Sequence, residues 1–257
     1  MGLLDEILAA KRKEAEAFAR ERHRRPAGWD VRPVLPALKR QPDDALRLIA
    51  EIKLRSPSAG GLSRALSPED RARAYEASGA SMISVLTDAR YFDGSFEHLA
   101  RIRQASSLPL LCKDFVIAPS QVEKAWASGA DAVLVIVRCL PGDELDLLVR
   151  AVFDRGLEPF VEVTNEAELD RALAAGARVV GVNARDLDTL AMDAERAARV
   201  VERIPPGVVA VHLSGLKGPD DVAKIAASRA DAALVGEALM RADDPAPLLR
   251  AMVERAG

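Results

Sequence analysis

Leu48-Ile49-Ala50-Glu51-Ile52-Lys53 is an apolar run of strand length that carries a carboxylate and an ammonium two residues apart. Side chains at i and i+2 of a strand share a face. Glu51 and Lys53 therefore stand together on one face of an otherwise hydrophobic strand. Burying either charge unpaired costs several kcal/mol, so the two read as an ion pair, a functional pair, or both. The arrangement returns along the chain. Lys113 ends Leu110-Leu111-Cys112-Lys113, Glu162 lies inside Pro159-Phe160-Val161-Glu162-Val163, and Asn183 and Arg185 follow Val179-Val180-Gly181-Val182. Four apolar runs thus deliver polar groups at or near their C-terminal ends, a repetition that structural ion pairing alone does not explain.

These runs belong to a longer alternation. Strands are expected at 48–53, 81–86, 108–113, 132–137, 158–163, 178–183, 208–213 and 232–236. Helical patterns follow at 68–79, 95–106, 119–129, 143–155, 165–175, 193–203, 218–228 and 245–255. Ser67-Pro68-Glu69-Asp70 supplies a cap, a proline at the first helical position and early acid. Asn165-Glu166-Ala167-Glu168 resembles a capping box, and Gly79, Gly129, Gly156 and Gly176 sit where helices should stop. The strands are continuous Val- and Ile-rich runs, as in a parallel sheet covered by helices. Eight strand–helix units predict an α/β fold, a (β/α)8 TIM barrel. A doubly wound sheet would normally show a Gly-x-Gly-x-x-Gly turn after an early strand, and the chain has none.

Residues 1–257 fit one barrel domain, with 1–45 as an N-terminal helical extension outside the repeat. Residues 2–24 read as an amphipathic helix with Leu4, Ile7, Leu8, Lys11, Ala15 and Phe18 near one face. A second short helix is expected over 31–39. Arg20, Arg22, Arg24 and Arg25 read as a solvated basic helix end. Because a barrel needs no extra strand, the extension should pack across one of its ends.

The formal net charge is −3, the hydrophobic share 49% and the charged share 29%. These values suit a globular protein and argue against general nucleic-acid or anionic-membrane binding. No apolar run approaches the ~20 residues of a membrane span, and Met1-Gly2-Leu3-Leu4-Asp5-Glu6 lacks a basic leader region. A cytoplasmic location is expected. Cys112 and Cys139 form neither a metal pattern nor a disulfide framework and read as core residues. His23, His98 and His212 are too scattered for a metal motif.

In barrel enzymes the site lies at the C-terminal ends of the strands. That rule gathers Glu51, Lys53, Ser56, Lys113, Phe115, Glu162, Asn183 and Arg185, a set of lysines, carboxylates and an apolar wall suited to acid–base work on an aromatic or carbonyl substrate. Ser214-Gly215 and Gly236-Glu237 end the last two strands, where barrels commonly hold a phosphate. Lys53 could reach the same phosphate, because the first strand neighbours the eighth on closure.

The chain resembles the indole-3-glycerol phosphate synthase family. The resemblance runs from the N-terminal helix to residue 252. It rests on Ala50-Glu51-Ile52-Lys53 with Ser56-Pro57-Ser58, Ser84-Val85-Leu86-Thr87, Tyr91-Phe92-Asp93-Gly94-Ser95 and Cys112-Lys113-Asp114-Phe115. It continues through Val161-Glu162-Val163, Gly181-Val182-Asn183-Ala184-Arg185-Asp186-Leu187 and Val235-Gly236-Glu237-Ala238-Leu239-Met240. It implies a carboxy-lyase of tryptophan biosynthesis. The implied reaction closes the indole ring of 1-(2-carboxyphenylamino)-1-deoxyribulose 5-phosphate with loss of carbon dioxide and water, using neither cofactor nor metal.

The resemblance also implies roles. Lys113 would be the general acid at the ribulose carbonyl, and Glu162 would move protons in rearomatisation or dehydration. Lys53 would bind substrate charge or act as a second acid. Glu51 and Asn183 would hold hydroxyls and orient the lysines, Ser56 and Arg185 would shape the site, and Phe115 would face the aromatic ring. Ser214, Gly215, Gly236 and Glu237 would hold the phosphate through backbone or hydroxyl donors. The Glu237 carboxylate, of the same sign as a phosphate, is not expected to touch it. A monomer or weak homo-oligomer is expected.

One position departs from the family pattern. The seventh strand usually ends Ala-Glu-Ser-Gly, whereas here it reads His212-Leu213-Ser214-Gly215. Leu213 cannot bond a substrate hydroxyl, and strand alternation turns His212 toward the helix layer. The alternative to an active synthase is therefore a phosphate-binding barrel with weakened or altered catalysis, acting as a binding subunit. A different phosphate-sugar barrel, such as a phosphoribosylanthranilate isomerase, would need its acid–base pair on other strands.

Overall fold

The computed structural model describes all residues except Met1, Pro42, Ser58, Ala59, Leu187, Asp188 and Leu190, and of Leu3 the backbone alone. Two residues of the motifs quoted above, Ser58 and Leu187, lie outside the described residues. Eight parallel strands close into a barrel: β1 (Arg47–Ile52), β2 (Met82–Leu86), β3 (Leu110–Lys113), β4 (Ala132–Ile136), β5 (Glu158–Val163), β6 (Val179–Asn183), β7 (Val209–Leu213) and β8 (Ala232–Val235). Each pairs with its sequence neighbours, and β1 closes on β8 with Arg47 opposite Ala232 and Ala50 opposite Val235. Both faces of these strands are buried, one in the barrel and one under the helices, which is why their sequences read as apolar runs rather than alternations.

The expected helices are present with slightly shorter ends. Ser67 caps the helix Pro68–Ala77 by accepting the Asp70 amide at 3.1 Å, and Asn165 caps Glu166–Ala174 by accepting that of Glu168 at 2.9 Å. The helix Pro119–Ala127 stops before Gly129, whose φ of +96° suits glycine. Cys112 and Cys139 are buried, as expected of core residues.

The N-terminal extension serves both ends of the barrel. Its first helix, α1 (Leu3–Phe18), is shorter than the expected 2–24. It lies over the C-terminal mouth, with Leu4 and Ile7 facing the cavity there and Lys11 and Ala15 buried beneath it. The chain then descends to the opposite rim. Arg20, Arg22 and Arg24 are exposed, but Arg25 is not part of a solvated helix end. Its guanidinium donates to the carbonyls of Trp126 at 2.8 Å and Ala130 at 2.9 Å. At that rim Asp131 accepts the amides of Arg32 and Leu110 and two Arg103 contacts at 2.8 and 2.9 Å. The second expected helix shrinks to α2 (Leu35–Leu38), because the Arg32 backbone is committed to Asp131 instead.

Candidate active site

Glu51 is the buried penultimate residue of β1, and Lys53 directly follows the strand at its mouth. Their side chains meet, with Lys53 Nζ 2.7 Å from Glu51 Oε1. Gly236, after β8, makes that meeting possible. A Cβ there would lie 2.5 Å from Glu51 Oε1 and 3.1 Å from Lys53 Nζ, so the glycine serves for its missing side chain. Burial pushes the Glu51 carboxyl upward, yet the charges of Lys53 and Lys113 outweigh it and hold the group below the usual carboxylate range. Glu51 is therefore anionic at neutral pH.

Across the mouth stands a second pair. Lys113 ends β3, with Nζ 3.6 Å from Glu162 Oε2 on β5. The other Glu162 oxygen accepts a hydrogen bond from Asn183 Nδ2 at 2.9 Å. Asn183 Oδ1 in turn accepts the Ser214 hydroxyl at 2.9 Å and the Arg185 amide at 3.0 Å. Ser214, Asn183 and Glu162 thus form a line of donors and acceptors from β7 across β6 to β5. It fixes the carboxylate that faces Lys113. Glu162 Oε2 makes no hydrogen bond among the described residues, so its lone pairs stay available for proton transfer.

One side of the cavity is aromatic. Phe92 and Phe115 stand 6.4 Å apart at 34°. Phe92 sits on the one-turn helix Ala89–Phe92, capped by Asp88. Gly94 closes that turn against the backbone, since a Cβ there would fall 2.3 Å from the Leu86 carbonyl oxygen. On the β7–β8 side lie Ser214, with φ of +73°, Gly215, Gly236 and Glu237. Glu237 pairs with Arg241 at 2.8 Å.

One cavity of about 650 Å³ is lined by all twelve residues expected from the sequence: Glu51, Lys53, Ser56, Lys113, Phe115, Glu162, Asn183, Arg185, Ser214, Gly215, Gly236 and Glu237. That size suits a small-molecule site. The lining further includes Leu4, Ile7, Phe92 and Lys217, which sequence reasoning left out of the site. The apolar face of α1 was the signal for Leu4 and Ile7. Leu213 lines the cavity floor, as alternation requires, packed against Gly181. His212 turns away and shares its ring Nε2 with the Ser214 carbonyl at 3.1 Å. Burial lowers its pKa, so it is neutral at pH 7 and donates that bond.

The family model described as indole-3-glycerol phosphate synthase matches residues 4–252. A protein of that name from Mycobacterium sp. (strain KMS) is 44% identical over 215 residues, covering 84% of this chain and 79% of the relative. Another from Mycobacterium ulcerans (strain Agy99) is 42% identical over 246 residues, covering 95% and 90%. Among solved structures, a 3-hexulose-6-phosphate synthase aligns with a TM-score of 0.63 at 19% identity, covering 82% of this chain and 100% of that one. A thiamine phosphate pyrophosphorylase from Pyrococcus furiosus gives 0.62 at 18% identity, covering 82% and 95%. Those structures share the barrel alone. The family model runs from α1 into the last helix and the sequence relatives cover 84% and 95% of this chain, and on that ground this chain belongs to the indole-3-glycerol phosphate synthase family.

Proposed function

We propose that the mouth cavity carries out the reaction for which the family is named, with 1-(2-carboxyphenylamino)-1-deoxyribulose 5-phosphate as substrate. The observation that carries this reading is the pair of lysines, Lys53 and Lys113, each facing a buried carboxylate across one cavity. In ring closure the aromatic carbon bearing the carboxylate attacks the ribulose carbonyl. Lys113 donates a proton to the carbonyl oxygen as that bond forms. The new intermediate carries a cationic ring system. Loss of carbon dioxide returns the electron pair of the broken bond to that system, so the substrate supplies its own electron sink. The hydroxyl then leaves as water, and Glu162 passes to it the proton lost from the carbon beside the nitrogen, which completes the aromatic indole.

The remaining residues bind and orient. Glu51 holds Lys53 and, with Asn183, accepts substrate hydroxyls. Phe115, with Phe92 beside it, faces the aromatic ring, while Ser56 and Arg185 shape the walls. Ser214, Gly215, Gly236 and Glu237 bind the phosphate through backbone and hydroxyl donors, with Lys53 close by. The anchored phosphate limits substrate orientations far from the reacting carbons. A charged, phosphorylated metabolite as substrate supports a cytoplasmic location. Among the described residues the large apolar side chains left exposed are Val31, Leu147 and Met192, on separate segments, which supports a monomer or weak homo-oligomer. The binding-subunit alternative gains nothing from the structure, because both lysine–carboxylate pairs are intact.

Purified protein mixed with the carboxyphenylamino-deoxyribulose phosphate should develop indole fluorescence. A folded protein that gives none under substrate excess would sink the reading. Inorganic phosphate should raise KM without changing kcat, and in crystals grown with sulfate an anion should order beside Ser214, Gly215, Gly236 and Glu237. Inhibition that lowers kcat at constant KM, or an anion ordered at the opposite rim, would remove the phosphate assignment.

A further inference from the structure

Lys11 lies on the apolar stripe of α1, where a charge is costly unless paired. It is 1% exposed and its ammonium meets three carboxylates: Asp114 at 2.6 Å, Asp88 at 2.9 Å and Glu14 at 2.9 Å. Two of these come from the loops that form the mouth. Asp88 caps the one-turn helix Ala89–Phe92 by accepting the Tyr91 amide at 2.6 Å, and that helix carries Phe92. Asp114 directly follows Lys113, accepts the Phe115 amide at 2.7 Å, and accepts the Thr87 hydroxyl at 2.7 Å. Thr87 closes the circuit, its amide donating to the Lys113 carbonyl at 3.2 Å. One ammonium therefore joins α1, the loop after β2 and the loop after β3.

We propose that Lys11 is a positioning residue for the reaction, acting through Asp88 and Asp114 to set Phe92, Lys113 and Phe115 around the substrate; this rests on the function proposed above. The geometry separates this role from simple charge neutralisation. Glu14, on the same helix, could pair with Lys11 whether or not α1 lay over the mouth. Asp88 and Asp114 can reach it only when α1 covers the mouth. Burial raises the carboxyls of Asp114 and Glu14, so three acids compete for one cation rather than each having its own. Burial opposes the charge on Lys11 itself, but Asp114, Asp88 and Glu14 outweigh it and hold its pKa above the ordinary lysine range. The ammonium thus persists at every pH at which the enzyme would be assayed.

The test compares K11M, K11R and the triple variant K11M/D88N/D114N with wild type, each assayed well below its own melting temperature. K11M removes the tether and leaves two buried carboxylates without their cation, so it is the variant most prone to misfold. The triple variant removes those charges as well. Its asparagines still accept the Tyr91 and Phe115 amides, so each loop keeps its internal geometry and loses only its tie to α1. We expect kcat/KM to fall on the order of 10–100-fold in the triple variant, as misplacement of reacting groups by about an ångström would produce. Lys113 contributes the loss in kcat and the aromatic wall the rise in KM. K11R should recover most of the rate, because it restores a cation between the two loops. Hydrogen exchange at the Tyr91 and Phe115 amides should quicken in the triple variant while the barrel strands keep their protection. A triple variant with wild-type kcat/KM, or with unchanged exchange at both amides, would overturn the proposal. The exchange measurement decides it even for a wild-type protein that makes no indole product, an outcome that would instead end the functional reading.

Discussion

Lys113→Ala should lower kcat on the order of 10²–10⁴-fold, the usual range for losing a positioned acid or base, with a much smaller change in KM. The geometry favours Lys113 over Lys53 as the acid. Lys53 is in contact with Glu51 at 2.7 Å, so its proton is already engaged. Lys113 stands 3.6 Å from Glu162, near enough to feel the charge but too far for a strong hydrogen bond. It is thus oriented by Glu162 yet able to turn its ammonium to a third group entering the cavity. Its side chain is 19% exposed on the cavity side, so truncation opens space without collapsing a core. Proton transfer strengthens only toward the transition state, which is why the loss should fall on kcat. Steady-state kinetics on the folded variant check this. A kcat within about ten-fold of wild type would move the acid role to Lys53, and Lys53→Ala would then show the larger loss.

The barrel was legible because its strands are buried on both faces. Continuous apolar runs that repeatedly end in polar groups are the pattern of a parallel sheet with a functional rim, and Glu51, Lys113, Glu162 and Asn183 mark four such ends. Hydrophobic periodicity was a poorer guide outside the repeat. It extended α1 to residue 24, whereas tertiary contacts end the helix at Phe18 and carry Arg25 to carbonyls on the opposite rim. The one-turn helix Ala89–Phe92 and the short helix Glu237–Arg241 are too brief to leave a period. Pairings across the barrel were hidden for a different reason. Nothing local in Asn183 or Ser214 says that one bonds Glu162 and the other bonds Asn183, because those contacts exist only after closure sets the register of three strands. Lys11 was visible as a residue on the right face of α1, but its role depends on two loops more than seventy residues away in the chain.

Leu213→Glu should raise kcat, by about ten-fold. Leu213 is 2% exposed, ends β7 opposite Asn183, and lines the cavity where the family pattern has a carboxylate. At the mouth the two lysine–carboxylate pairs balance each other, Glu51 against Lys53 and Glu162 against Lys113. The proposed reaction passes through a cationic ring system, which a third carboxylate would stabilise more than it stabilises the neutral ring. It would also accept a substrate hydroxyl. A hydrogen bond to a charged group contributes about 1.5–3 kcal/mol, roughly 10–100-fold in rate if realised wholly in the transition state. Ground-state binding consumes part of that, hence the lower figure. The steric cost is small, because Glu is close to Leu in length and the space against Gly181 stays as it is. The electrostatic cost is larger, since the leucine sits among Phe160 and Gly181 and a carboxylate must turn toward the mouth to stay hydrated. Leu213→Gln separates the two contributions. It supplies an acceptor without the charge and should give only a fraction of the gain. Unchanged or lower turnover in a folded Leu213→Glu variant would mean that the lysine–carboxylate pairs of this chain already do the work of the missing acid, in a site rebuilt around the leucine.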